Sequence, residues 1–145
     1  MKRLLISFAA IAMIAVTAFS AGAAEIEVRM LRLGSNGAEM VFEPALIQIG
    51  VGDTVTFIPA DSTLDVATIM AMLPEGAAPV RSHAGERVAV TFTIPGAYGF
   101  KSSPGYVRGM VGLVLVGDVN PQSVDTKQNP KTARDRFEGM LASLQ

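Results

Sequence analysis

Along most of the chain polar and apolar residues alternate with a period of two. Glu25-Ile26-Glu27-Val28-Arg29-Met30-Leu31 gathers its apolar residues on one face, as a strand does. Ser35-Asn36-Gly37 then makes a turn, and Met40 to Ile49 reads as a second extended stretch, with Pro44 confined to an edge or a bulge because it has no N–H for a ladder. Gly50-Val51-Gly52-Asp53 leads into Thr54 to Pro59, the clearest alternation in the chain. Met70 to Val80 predicts a short turn of helix and a loop, and Ser82 to Glu86 a surface turn. Val88 to Ile94 alternates again, whereas Val111 to Gly117 is continuously apolar, the pattern of a strand covered on both faces. The period changes only at the end. Asn129 as cap and Pro130 in the first turn predict a helix over about residues 130–144, with Ala133, Phe137, Met140, Leu141 and Leu144 on one face. Strands at short spacing with no helix-length crossover predict a mainly β fold, a sandwich of mostly antiparallel neighbours that carries a C-terminal α-helix.

The first 24 residues stand apart from this pattern. Lys2 and Arg3 precede an apolar run from Leu4 to Phe19, and Ala21-Gly22-Ala23 offers a small-x-small cleavage signal, so residues 1–24 read as a cleaved secretory leader. A membrane anchor would need about 20 apolar residues and positive flanks after them. Residues 25–145 then form one domain, long enough to bury roughly two-thirds of its unfolded surface in a single core. Loss of Lys2 and Arg3 leaves ten basic residues against 13 acidic ones, and no basic stripe for nucleic acid survives. The chain has no cysteine and one histidine, His83.

The stretch with most chemical content is Gly96 to Met110, GAYGFKSSPGYVRGM, a strand broken into a tight loop by Ser102-Ser103-Pro104-Gly105 and Gly109. With the strand that follows, it resembles the copper-binding loop of pseudoazurins, periplasmic electron-transfer cupredoxins whose pattern runs roughly Tyr-Gly-x-Lys-Cys-Thr-Pro-His-Tyr-x-Met-Gly-Met. The earlier segment MVFEPALIQIGVGDTVTFIP is similar to the family's approach to its first copper ligand. The resemblance covers about Glu25 to Leu141 and implies a cupredoxin-like Greek-key β-sandwich. It also implies that the ligand positions have changed: Leu64 stands for the first histidine, Ser102 for the cysteine, Gly105 for the second histidine and Arg108 for the methionine, while Asp65 stands where the family carries Asn.

A type 1 copper site rests on two imidazoles, a thiolate and a weak axial thioether. Leucine and glycine carry no donor, arginine stays protonated, and one histidine outside the matched positions cannot rebuild the set. No cofactor is therefore expected, although the resembling family binds copper. Met40 and Met110 lie nearest the loop, and packing is their expected role, with a weak Cu(I) contact as the alternative. Ser102, Ser103 and Asp65 lack a placed base, so no enzyme is expected. The preferred reading is an exported, monomeric, non-redox binding domain in the periplasm, with a partner protein recognised around Met40, Pro104 and Tyr106. The alternative is the family's copper-dependent electron transfer. Family members are similar in carrying docking lysines around the site; Lys101, Lys127 and Lys131 remain here. An Asp65–Arg108 contact, or a polar cluster including Ser102, is expected to close the former metal end, against the alternative that Arg108 stays in solvent.

Overall fold

The computed structural model of the chain describes residues 22–145; the leader expected over residues 1–24 lies, but for its last three residues, outside the described part. Eight strands and one helix follow in order: β1 Glu25–Leu33, β2 Glu39–Glu43, β3 Leu46–Ile49, β4 Thr54–Pro59, β5 Ala67–Thr68, β6 Val88–Thr91, β7 Gly96–Lys101, β8 Val111–Val116 and α1 Lys131–Ala142. They form two four-stranded sheets, ordered β2-β1-β4-β6 and β3-β8-β7-β5. Four neighbour pairs are antiparallel, while β1 with β4 and β3 with β8 are parallel, the mark of long returns between strands distant in the chain.

The periodicities explain the layers. In β1 only Val28 and Met30 are fully buried, and they face the space between the sheets. All six residues of β8 are buried because both of its faces are covered. Val114 and Val116 point into the inner core, whereas Val111, Leu113 and Leu115 meet Ala133, Phe137 and Leu141 of α1 on the other side. Five aromatic rings run through the inner core, with Phe57 on Phe100 at 4.9 Å and Phe92 edge-on to Tyr98 at 4.8 Å between centroids.

The extended stretch expected from Met40 to Ile49 is two strands, one in each sheet. The chain changes sheet at Glu43-Pro44, which is a cis peptide, and Pro44 needs no ladder partner because it lies in neither strand. Ser82, expected in a surface turn, is buried: its N–H donates to Val66 O at 2.9 Å, and its Oγ accepts from Val66 N at 2.9 Å. The cap expected at Asn129 is not made; Pro130 occupies the cap position and no side chain caps the helix. Asn129 is drawn inward instead, where Oδ1 accepts from Tyr106 Oη at 2.7 Å and Nδ2 donates to Thr126 O at 2.9 Å and to Met72 Sδ at 3.3 Å. A buried amide satisfies its donors and acceptor before it serves an exposed helix end.

No helix among the described residues is long and apolar enough to cross a membrane. Because Phe137 joins α1 to the outer face of β8 and is fully buried, Phe137→Ala is expected to cost about 3–5 kcal/mol in urea unfolding. Glu138→Ala, on the exposed side of the same turn, should stay within about 0.5 kcal/mol.

Candidate functional site

The loop after β7 is a closed unit. Ser102 continues the strand with φ −109° and ψ 125°, and Ser103–Gly105 then form a single 3-10 turn with Pro104 in its first positions. Ser102 N donates to Met110 O at 3.2 Å and Met110 N to Gly105 O at 2.8 Å, which ties the two ends together. Gly109 turns the chain back with φ +95°, a left-handed conformation that favours glycine. Asp65 stitches the loop to the segment before β5: its carboxylate accepts from Ser103 N at 2.6 Å, Ser103 Oγ at 2.8 Å and Ser102 Oγ at 3.3 Å. Every one of these donors points at the carboxylate, so the three residues lock the loop to the segment before β5.

Leu64, Ser102 and Gly105 do come together, and what lies between them is apolar. Leu64 is fully buried in the inner core together with Met40 and Met110. A Cβ built on Gly105 would lie 2.6 Å from Met40 Cε, 2.7 Å from Met110 Cβ and 3.0 Å from Met110 Sδ. The place a side chain at position 105 would take is therefore filled by two methionines. Ser102 is the one polar group at this centre, and Asp65 satisfies it.

Arg108 is not part of the centre. Its side chain is 59% exposed and pairs with Glu39 at 2.5 Å, so the expected Asp65–Arg108 contact is not formed. The other half of that expectation, a polar cluster of Asp65 with Ser102, is formed. Around the loop Pro104 is exposed and Tyr106 half-buried, with Lys101 Nζ 4.7 Å from the Tyr106 ring centroid. Val107, at the loop tip, is 73% exposed, and Met70 on the neighbouring turn is 67% exposed. Val107 carries no sequence signal of its own exposure, and Met70, whose apolar neighbours in sequence suggest a core-filling role like that of Met30 and Met72, lies in solvent instead. His83 lies exposed in its turn and takes no part in the centre.

A family described as "Copper binding proteins, plastocyanin/azurin family" matches residues 28–117. The chain belongs to this family. Within it the chain is similar to the pseudoazurins: it is 39% identical to the one from Methylorubrum extorquens over 99% of this chain and 97% of that protein. It is 44% identical to the one from Paracoccus pantotrophus over 84% and 85%. The crystal structure of pseudoazurin from Methylobacterium extorquens AM1 superposes with a TM-score of 0.76 at 39% identity, covering 83% of this chain and 99% of that one. Native pseudoazurin from Hyphomicrobium denitrificans gives 0.76 at 32% identity, over 82% and 97%.

This cupredoxin's residues do not fit a type 1 copper centre. Around the point where Leu64, Ser102 and Gly105 meet there is no imidazole and no thiolate, and the space is taken by hydrocarbon. Nor do the described residues hold any group of three or more His, Cys, Asp or Glu that could bind a metal ion. The match of Arg108 to the family's methionine is also corrected by the geometry. The family pattern carries two methionines on either side of a glycine, and the thioether that reaches the centre here is that of Met110, beyond Gly109. Both imidazoles and the thiolate are thus replaced, while a thioether is kept as a packing group.

The turn that delivers Leu64 is held by charge. Asp61 accepts from Thr63 Oγ1 at 2.5 Å, Thr63 N at 2.8 Å and Arg32 Nε at 2.7 Å, and Arg32 also donates to Thr63 Oγ1. Led by the Thr63 hydroxyl, these donors lower the Asp61 pKa from 3.8 to about 2. A carboxylate depressed in the folded state stabilises above its unfolded pKa, and that contribution is lost as pH falls toward 2. Thr63→Ala is expected to raise the Asp61 midpoint in a carboxyl NMR titration and to flatten the acid limb of the stability curve. In the centre itself, Gly105→Ala is expected to cost about 1–3 kcal/mol by overpacking. Adding Met40→Ala should return part of that loss, with a coupling of about 0.5 kcal/mol or more in a double-mutant cycle of unfolding.

Proposed function

We propose that this chain is an exported cupredoxin domain that has given up its copper centre and works as a non-redox binding protein in the periplasm. The observation that carries the reading is the filled centre: Leu64, Met40 and Met110 occupy the space a ligand set would enclose, and the chain has no cysteine to supply a thiolate. Electron transfer by this family's fold needs a redox centre, and no other group of this chain offers one. Catalysis has no support either, because the serines of the loop are bound by a carboxylate and lie near no histidine or lysine base in hydrogen-bond contact.

Binding is the remaining use of a rigid loop with an apolar rim. Val107, Pro104 and the Tyr106 ring under Lys101 form a surface at the closed end, and an apolar patch beside a cation suits a protein partner. The leader pattern of residues 1–24 supports export.

Purified protein mixed with Cu(II) is expected to show no intense thiolate-to-copper absorption, to retain no stoichiometric copper on gel filtration, and to give no reversible copper couple in voltammetry. Stoichiometric copper with a reversible one-electron couple would restore the electron-carrier reading. N-terminal sequencing of the chain from a periplasmic extract should begin at Ala24 or Glu25; an intact Met1 in that fraction counts against cleavage.

A further inference from the structure

Helix α1 hydrogen-bonds to the closed end through Arg136. Arg136 Nη1 donates to Met40 O at 2.7 Å and to Gly109 O at 2.8 Å, and Nη2 donates to Glu39 O at 2.9 Å. One planar guanidinium thereby holds three backbone carbonyls from two separate elements, β2 and the loop after β7. The approach is close: a Cβ on Gly109 would fall 2.8 Å from Arg136 Nε and 2.9 Å from Thr132 Cγ2, so only a bare backbone lets Arg136 lie this way.

Met40 is the residue that this fork grips, and it is the sole non-glycine with positive φ among the described residues, at +53°. Side-chain-bearing residues occupy that region only when their surroundings hold them there. The conformation matters because it directs Met40 Cε against Gly105, into the centre. Glu39, the residue before, is gripped twice, its carbonyl by Arg136 and its carboxylate by Arg108. Two arginines, one from α1 and one from the loop after β7, thus hold the start of β2.

We propose that Arg136 is a latch: it positions Met40 as the stopper of the vacated centre, and its release opens that end locally while both sheets stay folded. The space Met40 would leave is apolar, faced by Gly105 and Met110. Local opening of this kind is governed by the few contacts that close it, not by the global stability of the core. The helix therefore sets whether this end of the domain is shut, a role separate from its packing through Phe137.

Methionine oxidation reads the latch directly. Hydrogen peroxide transfers an oxygen atom to a solvent-reached thioether, giving the sulfoxide and water, and peptide mass spectrometry assigns the rate to each methionine. Met70, 67% exposed, serves as the open reference, and Met30, fully buried in β1, reports global unfolding. In Arg136→Met the oxidation rate at Met40 is expected to rise roughly tenfold or more, with Met30 and Met70 unchanged. Arg136→Lys keeps the charge but not the fork, and should raise the Met40 rate by less. An unchanged Met40 rate in both variants overturns the proposal. A rise at Met40 matched by Met30 overturns it too, because Arg136 would then be stabilising the whole fold. Should Arg136→Met fail to fold, Arg136→Lys decides by the same two criteria.

Discussion

The burial of β8 on both faces is the constraint from which the rest of the molecule hangs. A strand covered on one side by the other sheet and on the other by α1 cannot slip in register without breaking the side-chain packing on both faces at once. Its partner β7 is fixed against it over six consecutive pairs, from Gly96↔Val116 to Lys101↔Val111. The loop between these two strands inherits that rigidity at both of its ends. This is the physical reason that a loop can change its chemistry and keep its shape: the scaffold that orients residues 102 to 110 does not depend on what those residues bind.

Within that frame, a centre filled by hydrocarbon differs from a metal centre in cohesion rather than in architecture. Coordination concentrates energy in a few directional bonds, whereas packing spreads it over many weak contacts. Leu64, Met40 and Met110 supply contacts of the second kind, and the unbranched thioethers suit an irregular space. The buried hydroxyl of Ser102 is tolerable because the Asp65 carboxylate accepts a hydrogen bond from it and Asp65 N–H donates back to it. A serine alone in that position would carry the cost of an unpaired buried hydroxyl.

Much of this was legible in the sequence, and the misses have a common cause. The apolar run at residues 111–117 announced a doubly covered strand, and Ala133, Phe137 and Leu141 announced the buried stripe of α1, because both signals are local periodicities. The run from Met40 to Ile49 hid a change of sheet, since alternation tells which face a residue takes but not which sheet it joins. Asn129 has the local dress of a helix cap, and its real partners include Met72, 57 residues away. The reversal at Gly109 decides whether position 108 or 110 points inward, and a linear pattern does not record that turn. Arg136 reaches Met40 across 96 residues, a contact that no local pattern encodes. Absence of the two imidazoles and the thiolate from the matched positions was readable from residue types alone; the thioether of Met110 and the packing around it were a matter of three-dimensional structure.

Filling the centre from within the chain also alters the thermodynamic bookkeeping of folding. A domain that closes around a metal draws part of its stability from mass action, in proportion to the logarithm of free metal over its dissociation constant. Here the filling groups are covalently part of the chain, so their effective concentration is constant and no supply can run short. On the non-redox reading proposed above, the folded population does not follow the supply of copper. A domain without such linkage has its folded fraction set by its own core alone.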